Sequence, residues 1–175
     1  MNRIKDIPPG EMTNEQTAVF EQLTAGRGRI LTPYKIWIHS PKVAAGLEQI
    51  GTFLNKHASL SVREVEIAIL VIARHWKADY VLQAHIRVGR DAGLPDAVIE
   101  AVCQGTTPKL TDPHEQAVYA FAAALVAGTK LSDAQFSEIE AQLGRAGIAE
   151  VLVLLGYYTS VALGMKVHEV PIPPQ

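Results

Sequence analysis

The sequence predicts an all-α protein, a helical bundle built around a central antiparallel pair of helices. Apolar residues recur at helical spacing along nearly the whole chain, helix-start signals precede most apolar stretches, and no segment alternates convincingly like a half-buried strand. Alanines are frequent and aromatic residues make up only 6% of the chain, which favours close-packed helices. A chain of 175 residues with 48% apolar content suits one domain, residues 1–175, with a sizeable core.

The first 40 residues are expected to form a helix followed by an arm. Thr13 with Gln16 has the pattern of a capping box, which starts a helix to about residue 25. The glycine- and arginine-rich segment 26–29 ends this helix, and a loop follows. Segment 31–39 is too apolar to lie freely in water, so we expect an arm packed on the body or on a neighbouring subunit.

Start signals also place the remaining helices. Ser40 before Pro41 predicts an N-cap and a helix to about residue 56, and Ser61 with Glu64 predicts a capping box at the first central helix. The central helices are expected at about 62–77 and 79–92. Later start signals, which include Asp112 and Ser132, predict helices at about 95–104, 112–127, 132–144 and 148–165.

Glu66 and His85 are the most informative polar residues, because they interrupt apolar stretches on the two central helices. Seven apolar residues follow Glu66 directly, so we expect this carboxylate to be at least partly buried. His85 shares a helical face with Ala78, Val81 and Leu82, which are all apolar. A histidine alone on such a face is more often a hydrogen-bonded core residue than a catalyst.

Segment 61–102 resembles the carboxymuconolactone decarboxylase family, which also contains the alkylhydroperoxidase D-like thiol peroxidases. The shared pattern is a helix with Glu66, a break near Lys77, a helix with His85, a Gly-Leu turn and an acidic helix. Segment 131–165 looks like the closing helices of longer members, so the resemblance covers about two thirds of the chain. In the peroxidase branch a Cys-x-x-Cys pair precedes the histidine, and here Ala78 and Val81 occupy those two positions.

The resemblance implies a proton relay of Glu66 and His85 that has no disulfide to serve. In the decarboxylase branch a carboxylated unsaturated lactone loses carbon dioxide, and the resulting dienolate must be protonated. The reaction needs no metal and no cofactor. A histidine can donate that proton and a carboxylate can orient its ring. The implied activity is that of a carbon–carbon lyase on a small lactone or carboxylate, of the kind used in aromatic degradation.

Further residues are candidates for catalysis or for substrate binding. Tyr80 lies next to the positions of the missing thiols and is the first candidate to stabilise an enolate oxygen, with a packing role equally open. Arg74 belongs to a basic patch that suits the end of a helix and could also grip a carboxylate. The other candidates for substrate binding are Trp76, Tyr157, Tyr158 and Trp37, and packing is the leading interpretation for Tyr157 and Tyr158. Many longer family members carry an acidic residue and a tryptophan near Tyr80, where this chain has Val81 and Leu82. The pocket is therefore expected to be more apolar than in those members, and the resemblance does not identify the substrate.

Composition excludes several classes of function. The 16 basic and 18 acidic residues form no block that would bind nucleic acid, and the longest unbroken apolar runs are far shorter than a membrane span. The N-terminus lacks a signal-peptide core, so we expect a cytoplasmic protein. The single cysteine, Cys103, is interpreted as a small apolar residue rather than a reactive thiol. The histidines outside the central pair show no metal-ligand spacing with one another, and we expect no metal site.

Three functions therefore remain open: a cofactor-independent lyase or isomerase, an antioxidant thiol peroxidase, and a non-catalytic small-molecule-binding protein. The arm and the apolar C-terminal helices offer more apolar surface than a small body readily buries, so we also expect a homo-oligomer. The resemblance implies trimers or hexamers with the site near a subunit boundary and Trp37 in the arm that helps to cover it.

Overall fold

Eight α-helices and no strand are found in the part of the chain described by the computed structural model, residues 2–25 and 28–172. A single 3₁₀ turn, Pro9–Glu11, precedes the first helix. The helices are α1 (Asn14–Thr24), α2 (Thr32–Trp37), α3 (Pro41–Lys56), α4 (Val62–His75), α5 (Asp79–Asp91), α6 (Asp96–Gln104), α7 (Pro113–Val126) and α8 (Asp133–Val167). The all-helical prediction is confirmed.

Helix α4 lies at the centre of the bundle. Every residue from Glu64 to Ala73 is buried, because α5, α6, α7 and α8 all pack against this helix. Only three residues separate α4 from α5, and Lys77 in this turn takes a positive φ of 50°. Glu66 near the start of α4 contacts His85 in the middle of α5, and only a short turn joins the two helices, so they run antiparallel.

The start of α4 is anchored to α7 by an ion pair. The Nε and Nη2 atoms of Arg63 lie 2.6 and 3.1 Å from the two carboxylate oxygens of Glu115, which is buried. The Nη1 atom of Arg63 also donates to the carbonyl of Gly93, 3.0 Å away. Such a two-pronged contact fixes direction as well as distance. It therefore holds the first turn of α4, next to Glu66, against the rest of the bundle.

The arm expected at 31–39, to which the sequence assigned no secondary structure, is largely a short helix, α2. Pro33 lies in its first turn, where proline is pre-organised for a helix. Tyr34 and Ile38 are buried in a second apolar cluster with residues of α1 and α3. Helix α2 also contacts α8, so the arm packs on the body of its own chain. Residues 26 and 27, within the segment expected to end α1, lie outside the described residues.

The helix-start predictions are mostly confirmed. Thr13, Ser61 and Ser132 each form a capping box, and the Asp112 carboxylate accepts hydrogen bonds from the first turn of α7. Ser40 is the exception, because its side chain caps nothing. Its backbone N–H donates to the carbonyl of Trp37, 2.8 Å away, and this last turn of α2 gives Ser40 a ψ of 84° instead of the extended geometry of an N-cap.

Helix α8 spans both of the C-terminal helices that the sequence predicts. The expected gap is reduced to one residue, Gly144, whose φ of 62° and ψ of 177° are not helical. This backbone region is essentially open to glycine only.

By length and composition α8 could also cross a membrane, although the longest unbroken apolar runs in the sequence are much shorter. A core helix of a soluble protein passes the same test, and α8 packs against α3, α4, α5 and α7.

Candidate functional site

Glu66 and His85 form a direct hydrogen-bonded pair. The Oε2 atom of Glu66 lies 2.8 Å from the Nδ1 atom of His85. Only 5% of the Glu66 side chain and 18% of the His85 side chain are exposed. A contact of this length between a buried carboxylate and an imidazole is a strong hydrogen bond. The two residues singled out on the central helices are thus brought together.

The pair leaves one ring nitrogen of His85 for chemistry. The carboxylate can only accept a hydrogen bond from a protonated Nδ1, so Glu66 holds the imidazole in one orientation and one tautomer. The Nε2 atom is then the nitrogen that can give a proton to a ligand or take one from it. This is the arrangement that a general acid–base histidine requires.

His85 lies in the wall of a cavity of about 390 Å³. Three valines and one alanine of α5 and α8, together with Leu31 and Pro33, form its apolar surface. Four tyrosines, one from α2, one from α5 and two from α8, also line it. The lining includes Arg29, Thr32, Tyr34, Gly51, Tyr80, Val81, His85, Tyr157 and Tyr158. The cavity is therefore suited to a small, largely apolar ligand with a few polar groups.

Tyr158 packs edge-on against the imidazole of His85. The ring centroids are 5.1 Å apart and the ring planes meet at 89°. Burial raises the pKa of Tyr158 well above its usual value, and the charge of Glu66 and the neighbouring Tyr157 raise it further. Tyr158 thus keeps its proton and can act as a neutral hydrogen-bond donor beside His85.

Tyr80, the first sequence candidate for that donor role, lines the cavity but already uses its proton. Its hydroxyl donates to the Oγ1 atom of Thr32, 3.0 Å away. This bond ties α5 to α2 across the cavity. Of the two tyrosines, Tyr158 is the better placed to donate to a ligand next to His85.

Arg74 and Trp76 do not reach this cavity, contrary to their expected role in binding the same substrate as His85. Arg74 lies against Gly105 and donates to the carbonyl of Gln104, 3.4 Å away, whereas Trp76 donates through Nε1 to Thr159. Both residues lie at the far end of α4 from Glu66. Eight helical residues correspond to about 12 Å. Arg74 and Trp76 are therefore close to His85 in the sequence but do not share its cavity.

The remaining candidates are distributed around the cavity. Tyr157 and Tyr158, for which packing was the leading interpretation, both line it. Trp37 lies behind the wall, edge-on to Tyr157 with ring centroids 5.9 Å apart, and does not line it. Arg29 is the cationic residue at this cavity that sequence reasoning missed. No local signal could have found it, because it precedes α2 in a loop whose direction depends on the packing of α2.

Cys103 lies outside the cavity, on α6, and is partly buried. Burial raises the pKa of its thiol, and the opposing effects of Arg74 and Arg90 are smaller. A thiol that stays protonated is a poor nucleophile. Among the described residues, no group of three or more histidine, cysteine or acidic side chains could hold a metal ion.

Comparisons with known proteins identify the fold but not the activity. No known protein family profile and no curated protein sequence matches the chain. An uncharacterized peroxidase-related protein from Silicibacter sp. superposes with a TM-score of 0.74 at 16% identity, over 99% of this chain and 92% of that one. A peroxidase-related protein with an alkylhydroperoxidase AhpD core, from Ralstonia eutropha, gives 0.74 at 13% identity, over 94% and 88%.

A third solved structure contains a ligand. A cysteine-to-alanine variant of the debrominase Bmp8 in complex with 2,3,4-tribromopyrrole has a TM-score of 0.72 at 12% identity, over 97% of this chain and 91% of that one. Taken together, these similarities show that the chain has the alkylhydroperoxidase D-like fold.

Proposed function

We propose that the protein is a cofactor-independent enzyme in which His85 moves a proton on a small unsaturated ring substrate. The reaction that fits best is decarboxylation of a carboxylated lactone or a related ring acid. The observation that carries the proposal is the 2.8 Å contact between Glu66 and His85 at the wall of a cavity of about 390 Å³. The fold of peroxidase-related and debrominase structures supports an enzyme of this general kind.

In the proposed reaction the bond between the ring carbon and the substrate carboxylate breaks, and carbon dioxide leaves. The electron pair moves into the ring as a dienolate, and the negative charge collects on the carbonyl oxygen. The Nε2–H group of His85 gives its proton to carbon, and the histidine then regains a proton from water. Glu66 stabilises the imidazolium before that transfer and holds the ring in place.

Two further residues support this chemistry. Tyr158 stays protonated beside His85 and donates to the enolate oxygen, where negative charge develops. Arg29 lines the same cavity and pairs with a substrate carboxylate. Arg29 is exposed, so its contribution is to attract and orient the acid rather than to provide most of the binding energy.

Proton transfer can be measured directly by following hydrogen–deuterium exchange and carbon dioxide release with carboxylated muconolactones in D₂O. We expect His85→Gln to lower turnover about 10²–10⁴-fold, the usual contribution of a general acid–base group. His57→Gln, at the exposed end of α3, is the matched control and should keep full activity. Full activity of His85→Gln on a substrate that the unmodified protein converts would refute the proposal.

A thiol-dependent peroxidase is the second candidate, favoured by the peroxidase-related proteins that share the fold. It is disfavoured because Ala78 and Val81 stand where that branch has its cysteines, and Cys103 lies outside the cavity. We expect negligible consumption of an organic hydroperoxide with a dithiol reductant. Rapid consumption that is lost in Cys103→Ser would instead favour the peroxidase.

A further inference from the structure

A pair of hydroxyl groups joins α2 to α5 at the cavity. The Oη atom of Tyr80 donates to the Oγ1 atom of Thr32, 3.0 Å away, and both residues are partly buried and line the cavity. Helix α2 packs against α3 and α8, and this hydrogen bond connects it to α5 as well. The bond therefore fixes the position of the Thr32 hydroxyl relative to the helix that carries His85.

The chemistry of the two hydroxyl groups agrees with Tyr80 as the donor. A phenol is far more acidic than an alkyl hydroxyl, so the tyrosine is the better donor and the threonine the better acceptor. Two hydroxyl groups carry two protons, and the single hydrogen bond between them uses one. The proton that remains is that of Thr32.

This Thr32 proton has no partner among the described residues. A threonine inside a helix can donate to a backbone carbonyl in the preceding turn. Thr32 is the first residue of α2, so no preceding helical turn is available to it. Its chain neighbours Leu31 and Pro33 line the cavity too, and their side chains are apolar. A ligand in the cavity can therefore accept the proton of Thr32.

Arg29, three residues before Thr32, indicates the charge of that ligand group. It lines the same cavity, and its side chain pairs with no other described residue. None of the described residues that line the cavity is acidic, and the carboxylate of Glu66 is engaged with His85. A guanidinium group can only donate hydrogen bonds. A carboxylate, which can only accept them, fits both Arg29 and the free proton of Thr32.

We infer that Thr32, held by Tyr80, is a specificity-determining residue whose hydroxyl donates a hydrogen bond to the substrate carboxylate that Arg29 attracts. Tyr80 is then a positioning residue that acts through Thr32. The inference rests on the proposed function, because it takes the same cavity as the substrate site. It goes further because it assigns the residue that recognises the carboxylate by direct contact, whereas the exposed Arg29 acts mainly through its charge.

Isothermal titration calorimetry with benzoate and nitrobenzene tests this role, because nitrobenzene has the same planar shape without the charge. Thr32→Val removes the hydroxyl and keeps the shape of the side chain. It should weaken the binding of benzoate about tenfold, the effect of one hydrogen bond to a charged group, and leave that of nitrobenzene unchanged. Thr32→Ser keeps a hydroxyl and should retain the affinity for benzoate.

Three results of this titration would overturn the inference. The first is that benzoate does not bind to the unmodified protein. The second is that Thr32→Val binds benzoate as tightly as the unmodified protein does. The third is that Thr32→Ser loses as much affinity for benzoate as Thr32→Val.

Thr159→Val is the matched control. The Oγ1 atom of Thr159 accepts a hydrogen bond from the Nε1 atom of Trp76, 3.3 Å away, but Thr159 does not line this cavity. Both threonines thus accept one hydrogen bond from an aromatic side chain. Thr159→Val should keep the full affinity for benzoate. If it lost as much as Thr32→Val, the loss would come from a loosened bundle and the inference would be wrong.

Tyr80→Phe tests the positioning role. Without the Tyr80 hydroxyl the side chain of Thr32 is free to turn, so the affinity for benzoate should fall, but by less than in Thr32→Val. The double variant Tyr80→Phe/Thr32→Val should bind benzoate as Thr32→Val does, because Tyr80 acts through Thr32. Losses that add up in the double variant would show that Tyr80 itself contacts the ligand, and would refute its assignment as a positioning residue.

Kinetics separate this inference from the proposed function. Thr32→Val should raise KM about tenfold at an unchanged kcat, because its hydrogen bond to the carboxylate forms before the proton moves. A lower kcat at an unchanged KM would contradict the inference. His85→Gln should lose turnover and still bind benzoate about tenfold more tightly than His85→Gln/Thr32→Val. If His85→Gln keeps full turnover, the proposed function fails, and calorimetry still decides the role of Thr32.

Discussion

Tyr158 contributes a chemical property that residue type alone does not supply. A tyrosine in water is a weak acid with a pKa of about 10. In the fold, burial first and then the charge of Glu66 and the neighbouring Tyr157 raise this pKa. The same carboxylate that orients His85 therefore also adds to the rise in the pKa of Tyr158, of which burial is the largest cause. The buried carboxylate of Glu66 thus acts on two neighbours: it orients His85, the proton carrier, and it raises the pKa of Tyr158, the hydrogen-bond donor.

The raised pKa of Tyr158 predicts how stability changes at alkaline pH. Neutral Tyr158 contributes to the free energy of unfolding in full as long as the pH is below about 10, the pKa of tyrosine in the unfolded chain. The contribution is lost as the pH rises above that value, because tyrosine ionises in the unfolded chain before it ionises in the folded protein. Tyr34 acts in the same direction. We expect the melting temperature to fall as pH passes about 10, and to fall less steeply in Tyr158→Phe. Thermal melts followed by circular dichroism across this range would show it, and an unchanged slope would contradict it.

At the scale of the helix, the cap of α4 is important because this helix carries Glu66 in its second turn. The Ser61 side chain accepts a hydrogen bond from the backbone of Glu64, and the Glu64 carboxylate accepts one from the backbone of Ser61, 2.6 Å away. Glu64 is itself buried and lies 3.4 Å from His114 of α7. The first turn of α4 is thus fixed from two directions.

Ser61→Ala should lower the free energy of unfolding by about 1 kcal/mol, the usual cost of losing an N-cap. Ser40→Ala is the matched control, since Ser40 precedes α3 but caps nothing with its side chain, and its loss should be close to zero. Urea denaturation of both variants measures the difference. If both variants lost the same free energy of unfolding, the Ser61 side chain would not stabilise α4 as an N-cap.

These two serines also show how far the sequence could predict the helices. Ser61 and Asp112 were correctly assigned because a capping pattern is local and lies entirely within a few residues. Ser40 has a similar local signal, but the end of α2 uses its backbone N–H, and the segment of α2 was expected to be a packed arm with no helix assigned to it. The error at Ser40 thus follows from the error in the preceding element.

Only the part of the candidate site that lies on the helix pair α4 and α5 could be predicted from the sequence. Glu66 and His85 meet because α4 and α5 are consecutive and antiparallel, which the family pattern implied. The rest of the cavity is assembled from the loop before α2 and from α2, α3 and α8. No spacing within the sequence reveals that Arg29 or Gly51 lines a cavity with His85, so Arg74 was chosen as the cation instead.

At the scale of the whole molecule, α3 and α8 carry large apolar side chains that this chain leaves exposed. On α3 these are Val43, Ile50 and Phe53, and on α8 they include Leu152, Val153 and Leu163. Single exposed apolar residues are ordinary, but several on two contacting helices are typical of surfaces that bind another protein. The same two helices supply Gly51 and Tyr157 to the cavity, so the burial of their outer faces would also stiffen its wall.

We therefore expect a homo-oligomer, with a trimer or hexamer as the form that the family resemblance implies. Light scattering after size-exclusion chromatography should give a mass that is a multiple of 19.0 kDa. Leu152→Glu places a charge on the exposed face of α8 and should lower that mass, whereas Val62→Glu, at the exposed first turn of α4, should not. A charge that is buried in an interface costs free energy, so Leu152→Glu should weaken the oligomer if α8 lies in the subunit interface. A mass of 19.0 kDa for the unmodified protein would show that these side chains face water, and that the cavity is complete within one chain.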